Sequence, residues 1–437
     1  MIEIRNACIA TFGSENRVIN NGAVVLNEKG IIFVGPMDEL PEFKDATILD
    51  AEGRLVTPGL VNAHMHFYSA PACGLGFMPA GDFKGILENL WWRLDAAMDM
   101  PDVEAAAWIF GLRSIMQGVT TVFDHHASYG AIRGSLPAIA GVVKRIGLRT
   151  ALAFEVSNRA GEAAANQAID ENTDAAKAFA DDPEITVLMG LHASFTLDDK
   201  TLNRAIEQAR GLGMGVHVHV AEGQADVQHA KMQGYSGVVD RLNRFDALGT
   251  DTIAAHCIHI NHEELHTLRD TGTWVVSNPT SNLNNGVGIA QIRKMAIEDL
   301  LVGLGTDGIA CGMLAELRNL IFSQHHLMGH PTAYFADGVA ALTRQNPALA
   351  THFFARDIGV LRPDAVGDAV IWDYLPATPV NADNIGGHMA FGAWESRPLT
   401  VIANGRIKVK NGRLVDWDMR EISKKAKKLA EELWGRW

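Results

Sequence analysis

Residues 58–66 read PGLVNAHMH, an apolar run that ends in two histidines one residue apart. A short apolar run bounded by Pro and Gly is typical of a buried β-strand. Because side chains alternate between the two faces of a strand, His64 and His66 are expected to point to the same side. The run therefore predicts a strand whose carboxyl end presents two imidazoles together.

Seven further apolar runs follow, and several of them also end in polar residues: TTVFDHH, RTALAFEV, ITVLMGLHA, MGVHVHVAE, TIAAHCIH, WVVSNPT and LLVGLGTDG. Amphipathic stretches lie between them, with helices predicted over residues 102–117, 134–147, 200–213 and 314–328. Strand–helix alternation repeated eight times is typical of a parallel β/α barrel. The predicted fold is therefore of the α/β class, a distorted (β/α)8 TIM barrel.

The two ends of the chain have a different sequence pattern from the middle. Residues 1–57 and the segment after 365 contain short β-rich pieces joined by turns such as Asn-Gly and Lys-Gly. Neither end is long enough for a stable sheet alone, so the two are expected to form one small β-sandwich domain. The predicted division is 1–57 for its first part, 58–364 for the barrel, and 365–437 for its second part plus a lysine-rich, docking terminal helix.

The composition narrows the function classes. The chain has 437 residues, a formal net charge of −13 and 47% apolar residues, which indicates a sizeable core. An acidic balance argues against a nucleic-acid or anionic-membrane partner. The four cysteines are scattered without a CxxC pair, and residues 1–10 lack the pattern of a signal peptide. We therefore expect a cytoplasmic protein with no membrane span.

Metal-capable side chains cluster at the ends of the predicted barrel strands, where barrel active sites lie. Besides the first pair, the fifth run carries His217 and His219 with Glu222 three residues on, the sixth ends in His256, and the eighth ends in Asp307. Each motif alone has a plain structural explanation: an HxH pair can be core histidines, and Asp before Gly is a common turn. Their shared position instead predicts a site for one divalent metal, Zn²⁺ or Fe²⁺.

The stretches PGLVNAHMH, HVHVAE, AAHCIH and GLGTDG resemble the metal and catalytic motifs of the amidohydrolase superfamily. Within it, the chain is similar to the branch of guanine, adenosine-type and triazine aminohydrolases. The stretches NLWWRLD, DHHAS and SNPTSNLNNGVG are similar to a narrower group, the selenium-associated aminohydrolases. The resemblance implies a mononuclear site, because strand four has His192 and no lysine where binuclear relatives carry a carbamylated lysine. The implied ligands are His64, His66, His219 and Asp307.

The resemblance and the residue chemistry together predict three catalytic side chains. Asp307 can accept the proton of the attacking water, and Glu222 can pass a proton to a ring nitrogen. The resemblance implies that His256 contacts the attacking hydroxide, where it would stabilise developing charge. A metal at this site would lower the pKa of a bound water towards 7.

The sequence indicates the substrate pocket less clearly than it indicates the metal site. Residues 82–99 predict a helix whose apolar stripe is most simply core: Phe83, Ile86, Leu87, Leu90, Trp91 and Leu94. Trp92 and Arg93 lie off that stripe, and either bind a flat ring or belong to the surface. The resemblance favours the pocket. Further pocket candidates are His125 and His126, of which only one can point inward, and also Glu155 and His192.

These residues favour a metal-dependent hydrolytic deaminase of an amino-substituted N-heterocycle, purine- or pterin-like. One alternative keeps the same metal site but opens a cyclic amide or displaces chloride from a triazine. Another is a non-catalytic binding barrel. The expected partner is a small heterocyclic substrate, with no nucleic acid and no membrane, and the resemblance leaves a homodimer open.

Overall fold

The first part of the chain forms strands of a mixed sheet in this computed structural model, which describes residues 1–76 and 79–437. These strands are β1 (Ile2–Ala10), β2 (Val18–Asn27), β3 (Gly30–Pro36), β4 (Thr47–Asp50) and β5 (Leu55–Pro58). Strands β1, β2 and β3 form an antiparallel meander, while β4 and β5 run parallel to β1. The turn-rich sequence of this segment therefore forms short, mostly antiparallel strands.

The middle of the chain forms a barrel of parallel strands. They are β6 (Leu60–Met65), β7 (Val119–His126), β8 (Arg149–Val156), β9 (Ile185–Val187), β10 (Met189–Ala193), β11 (Val216–Val220), β12 (Thr252–His256), β13 (Trp274–Ser277) and β14 (Val302–Leu304). The order is β6-β7-β8-β10-β11-β12-β13-β14, with β9 paired to β8 beside β10. A parallel bridge between Met65 and Asp307 joins the last strand to the first. The predicted barrel is confirmed, and all eight apolar runs supply its strands.

Helices cover the outside of the barrel. They are α1 (Phe83–Ile86), α2 (Trp92–Ala97), α3 (Met100–Met116), α4 (Ser135–Ile146), α5 (Glu162–Ala178), α6 (Asp199–Gly211), α7 (Gln224–Met232), α8 (Val238–Arg244), α9 (His262–Thr271), α10 (Pro279–Asn284), α11 (Ile292–Ile297), α12 (Met313–Met328), α13 (Phe335–Ala340), α14 (Asn346–Phe354), α15 (Ile385–Gly387) and α16 (Met419–Arg436). A π-helical turn, Leu87–Trp91, joins α1 to α2. The four predicted helices correspond to α3, α4, α6 and α12, each within two residues at either end.

The local sequence explains where these helices begin and end. Asp99 caps α3 by accepting a hydrogen bond from the backbone of Asp102, whose side chain returns the contact. Helix α4 ends at Gly147, which has a φ of 86° and so occupies a conformation that other residues adopt at a cost. Local signals of this kind determine where α3 and α4 begin and end.

The last part of the chain returns to the first sheet. Its strands are β15 (Ala369–Trp372), β16 (Pro398–Ala403), β17 (Arg406–Lys410) and β18 (Arg413–Leu414). The sheet order is β18-β17-β16-β15-β5-β1-β2-β3, and the antiparallel pairing of β15 with β5 joins the two chain ends. The predicted small domain built from both ends is thus confirmed, whereas its residue boundaries stay a prediction.

The terminal helix α16 packs against barrel helix α3. Trp434 donates a hydrogen bond to the backbone oxygen of Pro71, and Arg436 forms an ion pair with Asp102. This helix therefore supports the segment that follows the first barrel strand.

Candidate metal centre and active site

Three histidines and one aspartate converge at the carboxyl ends of β6, β11 and β14. His64, His66 and His219 each place a ring nitrogen within 4.8 Å of the others, and His64, His256 and Asp307 form an overlapping group with the same spacing. The Nε2 atoms of His66 and His219 are 3.3 Å apart. Asp307 Oδ1 lies 2.8 Å from His66 Nε2 and 3.6 Å from His64 Nε2. The predicted ligands are therefore brought together.

The second nitrogen of each histidine is already engaged. His66 Nδ1 donates to the backbone oxygen of His125, and His219 Nδ1 donates to that of His192 at 2.6 Å. His64 Nδ1 lies 2.9 Å from His217 Nε2. Hydrogen bonds of this kind orient metal-binding imidazoles and leave the lone pair of Nε2 free to bind a metal ion. The Nε2 atom of His64 is indeed buried without a hydrogen-bond partner among the described residues.

The electrostatics of the cluster favour a cation at this point. Burial lowers the pKa of His64 to about 4, which keeps that ring neutral. Burial also opposes protonation of His66, yet the neighbouring carboxylate of Asp307 raises the pKa of His66 to about 9. The buried cluster therefore stabilises a positive charge. Three imidazole nitrogens and one carboxylate oxygen suit a single divalent metal ion, with zinc as a fitting choice.

Glu222 and His256 flank this centre. His256 Nε2 lies 3.5 Å from Glu222 Oε2 and 3.7 Å from Asp307 Oδ2, and it has no hydrogen-bond partner among the described residues. Burial raises the pKa of Glu222 well above its ordinary value, and the charge of Asp307 adds to this effect. A carboxyl group in this state can hold a proton near neutral pH and donate it.

Helix α10 organises these groups, and the motif analysis did not assign its residues. Asn282 Oδ1 accepts a hydrogen bond from His256 Nδ1 at 2.8 Å. Ser281 Oγ donates to Asp307 Oδ2 at 2.5 Å, and Asn285 Nδ2 lies 3.4 Å from Glu222 Oε1. All three belong to SNPTSNLNNGVG, residues 277–288, where the run of amide and hydroxyl side chains directly after a barrel strand was the available signal.

The sequence model of a family described as "Amidohydrolase family" matches residues 55–408, which include the whole barrel and the strands directly before and after it. The chain belongs to the amidohydrolase family. Similar members of this family include a 5-methylthioadenosine/S-adenosylhomocysteine deaminase of Moorella thermoacetica. It is 28% identical over 412 residues, or 93% of this chain and 94% of the relative. A 5'-deoxyadenosine deaminase of Methanosarcina mazei is 28% identical over 441 residues, covering 100% of this chain and 99% of the relative.

A solved structure supports the same architecture. The adenosine deaminase of Xanthomonas campestris with bound zinc has a TM-score of 0.87 to this amidohydrolase. The two are 22% identical, and the similarity covers 99% of this chain and 98% of that one. The fold is therefore shared over the whole length, and the neighbour holds the metal that the donor set here suits.

A cleft of about 760 Å³, counted with its open mouth, leads down to the metal cluster of this amidohydrolase. Its walls include the aromatic rings of Tyr68, Phe83, Trp91 and Phe195. The predicted core stripe is present, because Leu87 belongs to the main buried cluster and Phe83 and Trp91 pack against it, but all three side chains also line the cleft.

Trp92 and Arg93 do not line the cleft, so the pocket assignment that the resemblance favoured was wrong. Arg93 turns away from the cleft, stacks 4.3 Å over the ring of Trp437 and donates to its backbone oxygen. Trp92 lies behind the wall, with its ring centroid 6.0 Å from that of His192. Spacing alone could not show this, because both orientations are determined by contacts with distant parts of the chain.

The two adjacent histidines of β7 also lie outside the cleft. His125 points into the barrel beneath the metal cluster, where Nε2 lies 3.2 Å from the backbone oxygens of Leu191 and His217. His126 turns the other way, and its Nε2 lies 2.9 Å from Ser128 Oγ. The expected alternation is therefore present, but neither ring reaches the cleft, which corrects the prediction that one of them contacts substrate.

Glu155 and His192 do line the cleft. His192 Nδ1 lies 2.9 Å from Thr196 Oγ1, so its Nε2 remains available to the cleft. Glu155 ends β8 beside it. The prediction that both side chains lie in the pocket therefore agrees with the structure, and their contact with substrate stays a proposal.

Proposed function

We propose that this amidohydrolase removes the amino group of an N-heterocycle by hydrolysis and releases ammonia. The main support for this reaction is the buried Glu222 carboxyl group, which has a raised pKa and lines the cleft together with residues of the metal cluster. Both relatives described above are named as deaminases of adenosine-type compounds, which supports this reaction class.

The reaction exchanges a C–NH2 group for C=O with consumption of one water and release of one ammonia. When bound, a divalent metal ion supplies a Lewis acid that makes water a nucleophile near neutral pH. We assign its ligands as His64, His66, His219 and Asp307, which belong to two overlapping groups with ligand atoms within 4.8 Å of one another; the second group also contains His256, to which we assign a different role.

The chain's own residues then move the protons. Asp307 accepts a proton from the attacking water, and Glu222 donates one to the ring nitrogen next to the carbon under attack. The proton held by Asp307 passes to the leaving amine, which departs as ammonia, and the remaining proton of the former water returns to Glu222 as the C=O bond forms. His256 keeps its Nε2 lone pair towards the water because its Nδ1–H is donated to Asn282. This nitrogen orients the water for attack.

The cleft fits a flat, uncharged substrate. Its walls offer aromatic faces for stacking. Among the described residues that line it, one is a lysine and none is an arginine, and this lysine, Lys84, is half-exposed and lies 3.3 Å from Glu88. We therefore propose a purine- or pterin-like ring whose binding depends little on long-range charge.

An ammonia-release screen tests the reaction. Protein loaded with zinc is assayed against aminopurines, pterins, pyrimidines and triazines, and we expect ammonia from at least one purine or pterin. Consumption of a substrate without ammonia would instead support ring opening or chloride displacement at the same centre. Metal analysis separates the remaining alternative, because a non-catalytic barrel need not retain about one equivalent of metal after purification without chelators.

The expected setting is the cytoplasm, with a small molecule as the partner and no nucleic acid or membrane. The four cysteines are unpaired in the structure, which suits a reducing compartment. In the described part of the chain, every helix is too short or too polar to cross a membrane.

A further inference from the structure

An ion-paired cluster supports one wall of the cleft, and the reaction proposed above does not use it. Arg159 forms ion pairs with Glu155 and, at 2.5 Å, with Asp95. Its guanidinium lies 4.1 Å from the ring of Tyr129, and Tyr129 donates a hydrogen bond to the backbone oxygen of Glu155 at 2.9 Å. Because all these groups are largely buried, Glu155 is held in one orientation.

The two oxygens of Glu155 are in different situations. Oε1 is bound by Arg159. Oε2 makes no hydrogen bond to any residue in 1–76 or 79–437, and its nearest ring nitrogen is His125 Nδ1 at 3.9 Å. Glu155 is 2% exposed and lines the cleft. Because Glu155 lines the cleft and this oxygen has no donor within the described protein, Oε2 is free to accept a hydrogen bond from a bound molecule.

The barrel places Glu155 on a different part of the rim from the reacting groups. Strand β8, which carries Glu155, is third in the barrel, whereas β11, which leads to Glu222, is fifth and β14, which leads to Asp307, is last. A flat ring that presents its reacting edge to Glu222 and Asp307 therefore presents another edge to Glu155.

We propose that Glu155 determines substrate specificity by accepting a hydrogen bond from an N–H or O–H donor on an edge other than the one that carries the reacting amino group. This inference rests on the proposed deamination, because that reaction defines which edge reacts. Arg159 and Asp95 act as positioning residues, since they hold the acceptor but are paired with each other. The donor can be a ring N–H of a free base or a hydroxyl of a nucleoside sugar.

Two substrate pairs separate these sources of the donor. Adenine and 9-methyladenine differ in a ring N–H, and adenosine and 2',3'-dideoxyadenosine differ in sugar hydroxyls. Loss of a hydrogen bond to a buried charged acceptor corresponds to roughly 10- to 100-fold in kcat/KM. Zinc-loaded wild-type protein should show this preference for the donor-bearing member of at least one pair. Equal kcat/KM within both pairs would overturn the proposal, whether or not any variant folds.

Glu155→Gln tests the residue itself. Arg159 requires an acceptor, so the amide oxygen should face Arg159 and its NH2 group should face the cleft, which replaces an acceptor by a donor. The preference should then fall to about threefold or less. Glu162→Gln is the matched control, because Glu162 lies on the same connection but is exposed and paired with Lys200. An unchanged preference in E155Q, or an equal loss in E162Q, would refute the assignment.

Binding separates failure of this inference from failure of the proposed reaction. If wild-type protein releases no ammonia from any of the four compounds, their dissociation constants are measured by calorimetry on wild type and E155Q. A donor-dependent difference that disappears in E155Q would keep the Glu155 assignment, while the wider ammonia-release screen decides the deaminase proposal separately. Equal affinities within both pairs would remove the Glu155 assignment as well.

Discussion

Replacement of Asn282 by alanine should impair turnover while leaving the metal and the cleft in place. Asn282 is 2% exposed, and its Oδ1 accepts from the Nδ1 of His256, which is fully buried, at 2.8 Å. Without this acceptor, the neutral ring gains by moving its proton to Nε2 or by turning. Either change removes the lone pair that faces Glu222 and Asp307.

The magnitude follows from the burial of both partners. A buried donor left without a partner costs about 1–3 kcal/mol. If the cost falls on the geometry needed for reaction, each 1.36 kcal/mol corresponds to a tenfold change in rate. The expected decrease in kcat is therefore about 5- to 150-fold. KM should change less than about threefold, since the side chain of Asn282 points to His256 and lies outside the cleft lining.

The assay compares kcat, KM and zinc content in wild type, Asn282→Ala and Leu283→Ala. Leu283 is the matched control because it lies on the same helix and is 51% exposed. We expect unchanged zinc content in both variants and normal kcat in L283A. The reasoning fails if N282A turns over within twofold of wild type. It also fails if N282A loses zinc, because His256 would then be a ligand rather than a group that orients water.

Three further predictions concern other buried groups. Glu222→Gln should lower kcat at least about a hundredfold while zinc content stays the same, because the amide cannot donate the required proton; a nearly unchanged kcat would remove Glu222 from this role. Burial raises the pKa of Glu316 to about 7, so this group stabilises the fold below pH 4.5 and that contribution is lost as pH rises through 7. Urea unfolding of Glu316→Gln should accordingly show a smaller loss of stability between pH 5 and 8 than wild type shows, by up to roughly 3 kcal/mol; parallel profiles would contradict this. Arg149 is fully buried and lies 2.9 Å from Asp368, which joins the barrel to the end sheet, so Arg149→Met should lower the free energy of unfolding by about 3–5 kcal/mol. The double variant Arg149→Met, Asp368→Asn should be more stable than the sum of the two single changes; simple additivity in urea midpoints would show that the pair is not coupled.

The elements of the barrel could be predicted because their signals are local. Each of the eight strands is a short apolar run, and helices such as α3 carry their own caps. Period 2 was sufficient to place His64 and His66 on one side of a strand and to separate His125 from His126. The metal-capable residues stood out because each directly follows an apolar run, and parallel strands bring their carboxyl ends to one rim.

The pocket could not be predicted in the same way, because its surfaces depend on contacts between distant segments. The apolar stripe of residues 83–94 predicted a core helix, but its spacing did not show that Phe83, Leu87 and Trp91 also line the cleft. Arg93 is held by Trp437, which lies more than three hundred residues away in the sequence. No periodicity within residues 82–99 contains that information.

The sequence by itself determined the order of strands and helices, the union of the two chain ends in one sheet, and the set of residues that can meet at the barrel rim. Those features follow from hydrophobic periodicity and from the geometry shared by all parallel barrels. Only the tertiary structure decided which nitrogen of each histidine is free, that Asn282 holds His256, and that Arg159 leaves one oxygen of Glu155 for the cleft. Hydrogen-bond pairing depends on distances of a few tenths of an ångström between groups far apart in the chain, and a sequence pattern does not specify such distances.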